Sequence, residues 1–293
     1  MNGLIQTSIE QGLIFAILAM GVLLTNKILK MADLSVEGSF PFGAFIFAKF
    51  ILMGLDPISS SLLAFAFGSL AGLLTGILFT KFKINSLLSG ILTMNILYSV
   101  NLRLNDRSNI PLYDERLIFD MGNKLLILLI IVILVKLLLD LFLKTELGYL
   151  LTVTGDNEAL VKNLGKDSDK YKIMGLMISN GLIAFSGALM AQYHGYVDAA
   201  MGKSSLVVAL AAIIIGDTIF RKRSKIKYTT RAIVGAIIYK IIGGLAIDLG
   251  LNPNDLSAIN AIIVIVVLLY NNFFLDLINK VKDRSGKGEE KNA

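Results

Sequence analysis

Residues 154–172 read TGDNEALVKNLGKDSDKYK, a polar and charged stretch set between two long apolar runs, 122–143 and 173–193. Charge of this density is too costly to hold in hydrocarbon, so the segment belongs at a membrane face, where a partner can push or pull on it. Thr154 or Asp156 can cap a short helix running from Glu158 to Leu164, and Gly165 supplies a left-handed stop. Glu158 near the start and Lys162 toward the end suit the helix dipole. Leu160, Val161 and Leu164 share one small apolar face, which can lodge in a partner's groove or lie on the protein's own membrane ends.

The surroundings of this island are built for lipid. Hydrophobic residues make up 55% and charged residues 17% of the 293 positions, against roughly 45–50% and about 25% in soluble domains. Apolar runs of about 20 residues cover about 30 Å of hydrocarbon at about 1.5 Å per residue. They predict an all-α polytopic transmembrane bundle of about nine spans, near 10–29, 39–55, 58–80, 84–101, 122–143, 173–193, 203–219, 232–250 and 256–279. No small-residue cleavage site follows the run Gly12 to Leu29, so it reads as a retained span. With no Cys, one His and no Trp, disulfides and thiolate metal sites are excluded. An intramembrane enzyme would lack its nucleophile, base or ligands, and no catalytic residue, metal or cofactor is expected.

The net charge of +6 raises the question of nucleic acid, which the positions of the charges answer. Most of the 28 Lys and Arg residues fall in alternate predicted turns: Lys27 and Lys30, Lys81 and Lys83, Lys144 to Lys172, Arg221 to Arg231, and Lys280 to Lys291. The positive-inside rule makes those turns cytoplasmic, with the N-terminus outside, the C-terminus cytoplasmic and the partner a lipid bilayer, not nucleic acid. The external loop 102–121 has an acidic cast, and Pro111 argues against a regular helix through it, so a partly ordered cap is expected. Residues 283–293, rich in Gly, Lys and Glu, read as a disordered cytoplasmic tail after one domain, 1–282.

Several polar residues sit where lipid would not tolerate them. Between Met31 and Gly43, Asp33, Ser35, Glu37, two glycines and Pro41 interrupt apolar sequence. This is either a broken helix packed inside the bundle or a cytoplasmic turn with Ser35 or Ser39 as helix cap. Asn95, Asn101, Asn180, Gln192 and Asn260 serve as interhelical glue or line a polar path. Lys136 and Asp140, four apart, read as a local pair, whereas Lys240 has no helical partner and either snorkels or faces the interior. His194 sits at an external span end. Two chemistries remain open at this point: a solute path driven by a partner, or a secondary transporter driven by an ion gradient through Lys240, Asp217 or Asp248.

Three stretches give the chain a family likeness: Asp33-Leu-Ser-Val-Glu-Gly38, Gly155 to Gly165, and Ser179 to Gln192. With the span pattern, it resembles the permease subunit of ABC importers of the branched-chain amino acid and ribose class, and within it a subgroup linked to tryptophan or tyrosine uptake. The resemblance implies that 154–172 is the coupling segment, with Asp156, Asn157, Glu158, Leu160, Val161, Leu164 and Gly165 facing an ABC ATPase. It also implies that Asp33, Ser35 and Glu37 lead into a distorted second helix beside the path. Asn95, Asn180 and Lys240 are further candidates for that path. No Walker motif occurs, so ATP hydrolysis falls to separate chains. The other partners implied are an extracytoplasmic solute-binding protein and a second permease copy as a homodimer. The setting is a bacterial plasma membrane, and the action is alternating-access import of a small solute, an amino acid and within that class an aromatic one.

Overall fold

The computed structural model describes residues 2–221, 223, 225–250 and isolated positions between 258 and 269. Helices α1 (Asn2–Leu23), α2 (Val36–Leu52), α3 (Pro57–Thr80), α4 (Ser86–Leu104) and α5 (Lys124–Phe142) are followed by the short α6 (Glu146–Asp156) and α7 (Glu158–Asn163). Then come α8 (Ser168–His194), α9 (Ser205–Ile219) and α10 (Tyr228–Asp248). Helix starts in a lipid setting need partners for their open N–H groups. Side chains of Asp56, Asn85, Asn123, Thr145, Asn157 and Asp167 accept them at the starts of α3 to α8.

Among the described residues, six helices are long and apolar enough to cross a membrane: α1 with its π-helical extension to Ile28, α3, α4, α5, α8 and α10. Each of the eight spans expected before residue 250 coincides with a helix, but α2 has only 17 residues and α9 only 15. The ninth, 256–279, falls almost entirely outside the described residues, as do Asn260 and the tail 283–293.

α1 and α8 form the buried centre, α8 lying across α2 and α3 and α1 across α10. Close approach of backbones makes this possible. At Gly187 of α8 a Cβ would overlap the Phe40 carbonyl oxygen of α2, so only hydrogen fits there. The apolar core gathers Leu13, Ile17, Met20, Phe40, Leu189 and their neighbours along this seam.

At one end, Asn109–Pro111 (β1) pairs antiparallel with Tyr196–Asp198 (β2), Ile110 opposite Val197. A 3₁₀ turn, Ile118–Met121, follows β1, and Gln192 ties it down: its Oε1 accepts from Ile118 N–H at 3.1 Å and its Nε2 donates to Ser61 at 2.9 Å. Residues 102–104 thus still belong to α4, and 105–121 hold a short strand and a 3₁₀ turn in place of a regular helix. At the other end lie α6 and α7, with α6 unforeseen because Thr145, its cap, stands next to an apolar run that reads as a continuation of α5.

Candidate functional site

The elbow between α1 and α2 exposes Lys30 and Ala32 but buries Asp33 and Ser35. Asp33 Oδ1 accepts from the Ser35 backbone N–H at 2.9 Å and from Ser35 Oγ at 2.5 Å, while Asp33 Oδ2 accepts from Asn180 Nδ2 at 3.1 Å. Asn180 Oδ1 accepts in turn from Ser39 Oγ at 2.6 Å and lies 2.9 Å from Ser35 Oγ, whose one hydroxyl proton is shared between Asp33 and Asn180. Ser35 occupies the cap position of α2, yet its side chain is spent on this network and makes no cap bond. Asp33, Ser35, Ser39 and Asn180 are all at most 4% exposed. Buried polar groups without such partners would each cost about 1–3 kcal/mol, so the network locks the elbow to α8.

Asn180 lies near the midpoint of the 27-residue α8, which places this layer halfway through the bundle. Glu37 lies between Ser35 and Ser39 and is half-buried. Gly38 packs on Met94 of α4, bringing the exposed Asn95 to the same level. The structure therefore unites Asp33, Ser35 and Asn180, sets Glu37 and Asn95 on the more open side of that layer, and leaves Lys240 apart. Its ammonium stands 3.8 Å from the centroid of the Phe15 ring, beside a cavity of about 280 Å³ between α1 and α10. Phe15 packs on Phe40, 5.8 Å between centroids. Lys136 does pair with Asp140 at 2.7 Å, but Asp140 also takes Lys227 at 2.9 Å and Thr229 at 2.7 Å, which clamps α5 to α10. Asp217 pairs with Lys27 and Arg231, and His194 stacks on Tyr196.

The surface helix α7 is anchored by one carboxylate. Glu158 Oε1 accepts from Lys162 at 2.7 Å and from Ser168 Oγ at 3.0 Å, and Oε2 from Lys172 at 2.7 Å. Hydrogen bonds from Lys162 and then Lys172 hold its carboxyl at about 2, well below the ordinary 4.5. The cap is Asn157, whose Oδ1 accepts from Leu160 N–H at 3.1 Å. Thr154 lies inside α6 with its hydroxyl on the Leu150 carbonyl, and Asp156 pairs with Lys30 at 2.7 Å, so neither caps α7 as the sequence suggested. Gly165 at φ +71° ends the turn in the left-handed region, as read from the sequence. The apolar face is split: Val161 is 0% exposed, while Leu160 is 46% and Leu164 60% exposed. Ser168 and Lys172 were missed as anchors because only the fold brings the α8 base to Glu158.

Comparison with known proteins places these features in a lineage. The family described as branched-chain amino acid transport system, permease component, matches residues 4–269. A tyrosine transport system permease protein of Clostridioides difficile (strain R20291) is 47% identical over 278 residues, 94% of each chain. An uncharacterised protein of Rickettsia prowazekii (strain Madrid E) is 34% identical over 92% of this chain and 97% of its own. A ribose import permease protein of Bacillus subtilis (strain 168) is 26% identical over 92% of this chain and 79% of its own. The chain is thus a multi-pass cell-membrane protein, and it belongs to the permease family of the branched-chain amino acid transport systems of ABC type.

Proposed function

We propose that this chain is the membrane subunit of an ATP-driven importer, moving an amino acid, and among amino acids an aromatic one, by alternating access. The observation that carries the reading is α7, whose Leu160 and Leu164 stand exposed while Val161 and Glu158 fix it to the bundle. An exposed apolar ridge on an anchored helix is a lever: force applied to it reaches α8 through Glu158 and Lys172, and the elbow through α6 and Lys30. The 154–172 segment is the coupling surface for a separate ATPase, with Asp156, Asn157, Glu158, Leu160, Val161, Leu164 and Gly165 shaping it. A solute-binding protein docks at the β1–β2 end, and a second copy completes the path on a two-fold axis. In this frame the N-terminus is outside and the C-terminus cytoplasmic. The tyrosine transport permease at 47% identity supports the solute class.

The competing reading, a gradient-driven transporter, loses a candidate group because Asp217 is already paired with Lys27 and Arg231. Reconstitution into vesicles with the ATPase and binding protein distinguishes the two. ATP-dependent uptake of aromatic amino acids is expected; uptake without any ATPase, following an imposed proton or sodium gradient, overturns it.

A further inference from the structure

At 15 residues α9 covers only about 22 Å, short of a crossing. Its start explains the shortfall. Gly202 packs on the Glu37 carbonyl and the Pro41 ring, so the chain leaves β2, runs inward and begins α9 at the level of the buried Asp33 and Asn180 network. The first turn of α9 therefore opens inside the thickness of the bundle.

Residues of opposite charge flank this start. The half-buried Glu37 carboxylate lies beside the Ser204 backbone N–H. Lys203 is exposed one residue earlier, and among the described residues neither Glu37 nor Lys203 takes part in an ion pair. Pro41 has no N–H, so the Glu37 carbonyl lacks its in-helix donor, and the Gly202 backbone packs against it instead. The hydroxyl of Ser205, in the first turn of α9, is buried without a hydrogen-bond partner. Bare charges at this depth cannot face lipid; they need a watery path or a ligand.

We propose, resting on the transport reading above, that Glu37, Lys203 and the first turn of α9 form the solute site of the path, and that it takes a zwitterion. The solute ammonium goes to the Glu37 carboxylate, and the solute carboxylate to Lys203 and the α9 N–H groups, where the helix dipole favours negative charge. Without solute, Glu37 itself lies beside the Ser204 N–H. A zwitterion replaces that one contact with two charge-matched ones, and it requires both charges on neighbouring atoms of one molecule, as in an α-amino acid.

The chain has no native Cys, so Ser204→Cys gives a single thiol at the site. In the complete importer in vesicles, a membrane-impermeant thiol reagent is expected to label it. L-Tyrosine should slow labelling by about tenfold or more, as charge-assisted contacts allow. Tyramine, lacking the carboxylate, and N-acetyl-L-tyrosine, lacking the ammonium, should not. Lys203→Met and Glu37→Gln should each abolish protection, Lys203→Arg and Glu37→Asp retain part of it, and co-purified ATPase activity reports that each variant is assembled. A thiol that never labels in the assembled importer, equal protection by all three compounds, or protection unchanged in Lys203→Met and Glu37→Gln overturns the site. Protection as expected, in an importer that shows no ATP-driven uptake, keeps the site and overturns the transport reading instead.

Discussion

Glu158 and Lys172 stand 2.7 Å apart, joining the first residue of α7 to the first turns of α8. Through this pair a short surface helix becomes continuous with the 27-residue span that crosses the bundle centre.

Because the Glu158 carboxyl is held at about 2 in the folded protein against an ordinary 4.5, its contribution to anchoring α7 is full above 4.5 and fades as the pH falls toward about 2. Solvent screens the pair, so the effect is local, under about 1 kcal/mol per contact. Glu158→Gln should reproduce the acid state at neutral pH. A spin label at Asn163→Cys should gain mobility in that variant, and in the native sequence only below about 4.5; equal mobility at all pH values would count against the anchor.

Leu164→Asp and Leu160→Asp place charge on residues already in solvent, so the bundle should stay folded while ATPase co-purification is lost. Val161→Asp should behave oppositely. At 0% exposure its carboxylate would be buried unpaired, at a cost of several kcal/mol, and the protein should unfold at lower temperature. Thermal unfolding in detergent beside pull-down of the ATPase separates the two outcomes.

Gly187→Ala puts a methyl group on the Phe40 carbonyl, forcing α8 from α2 at a cost of about 1–3 kcal/mol. The melting temperature should drop, and a spin-label pair across α2 and α8 should report a longer distance. An unchanged melting temperature would show that the seam has room.

Asp33→Ala strips the acceptor from the Ser35 backbone N–H and from one Asn180 amide N–H, leaving buried donors unmatched at about 1–3 kcal/mol each. Ser39→Ala removes the Ser39 donor from Asn180 Oδ1, toward which the Ser35 hydroxyl can still turn, and should cost less, about 1 kcal/mol. Melting temperatures should fall in that order, and a reversed order would mean that Asp33 does not organise the elbow.

Particular residues show what was readable in advance. Spans of α3, α5 and α8 were legible because unbroken apolar runs have one stable answer in lipid, a helix. Gly165 and the short helix before it were legible because punctuation by Gly and a charged first turn is a local matter. The identity of the cap was not, since Thr154, Asp156 and Asn157 can all cap, and the choice follows from where α6 ends. Asp33, Ser35 and Asn180 were picked out singly, as polar residues out of place, but nothing in their spacing announced one network across 145 residues of separation.

Composition and the periodic placement of charge by themselves determined that this is a many-helix membrane chain with a charged surface segment at 154–172, because the bilayer penalises each unpaired polar group whatever the neighbours. Only the tertiary structure decided that Val161 turns inward while Leu160 and Leu164 stay out, that Asp33 and Ser35 of the elbow are buried on α8, and that α9 begins opposite Glu37. Those outcomes depend on which helix faces meet, and helix faces meet through close backbone contacts and long-range hydrogen bonds between residues far apart in the chain.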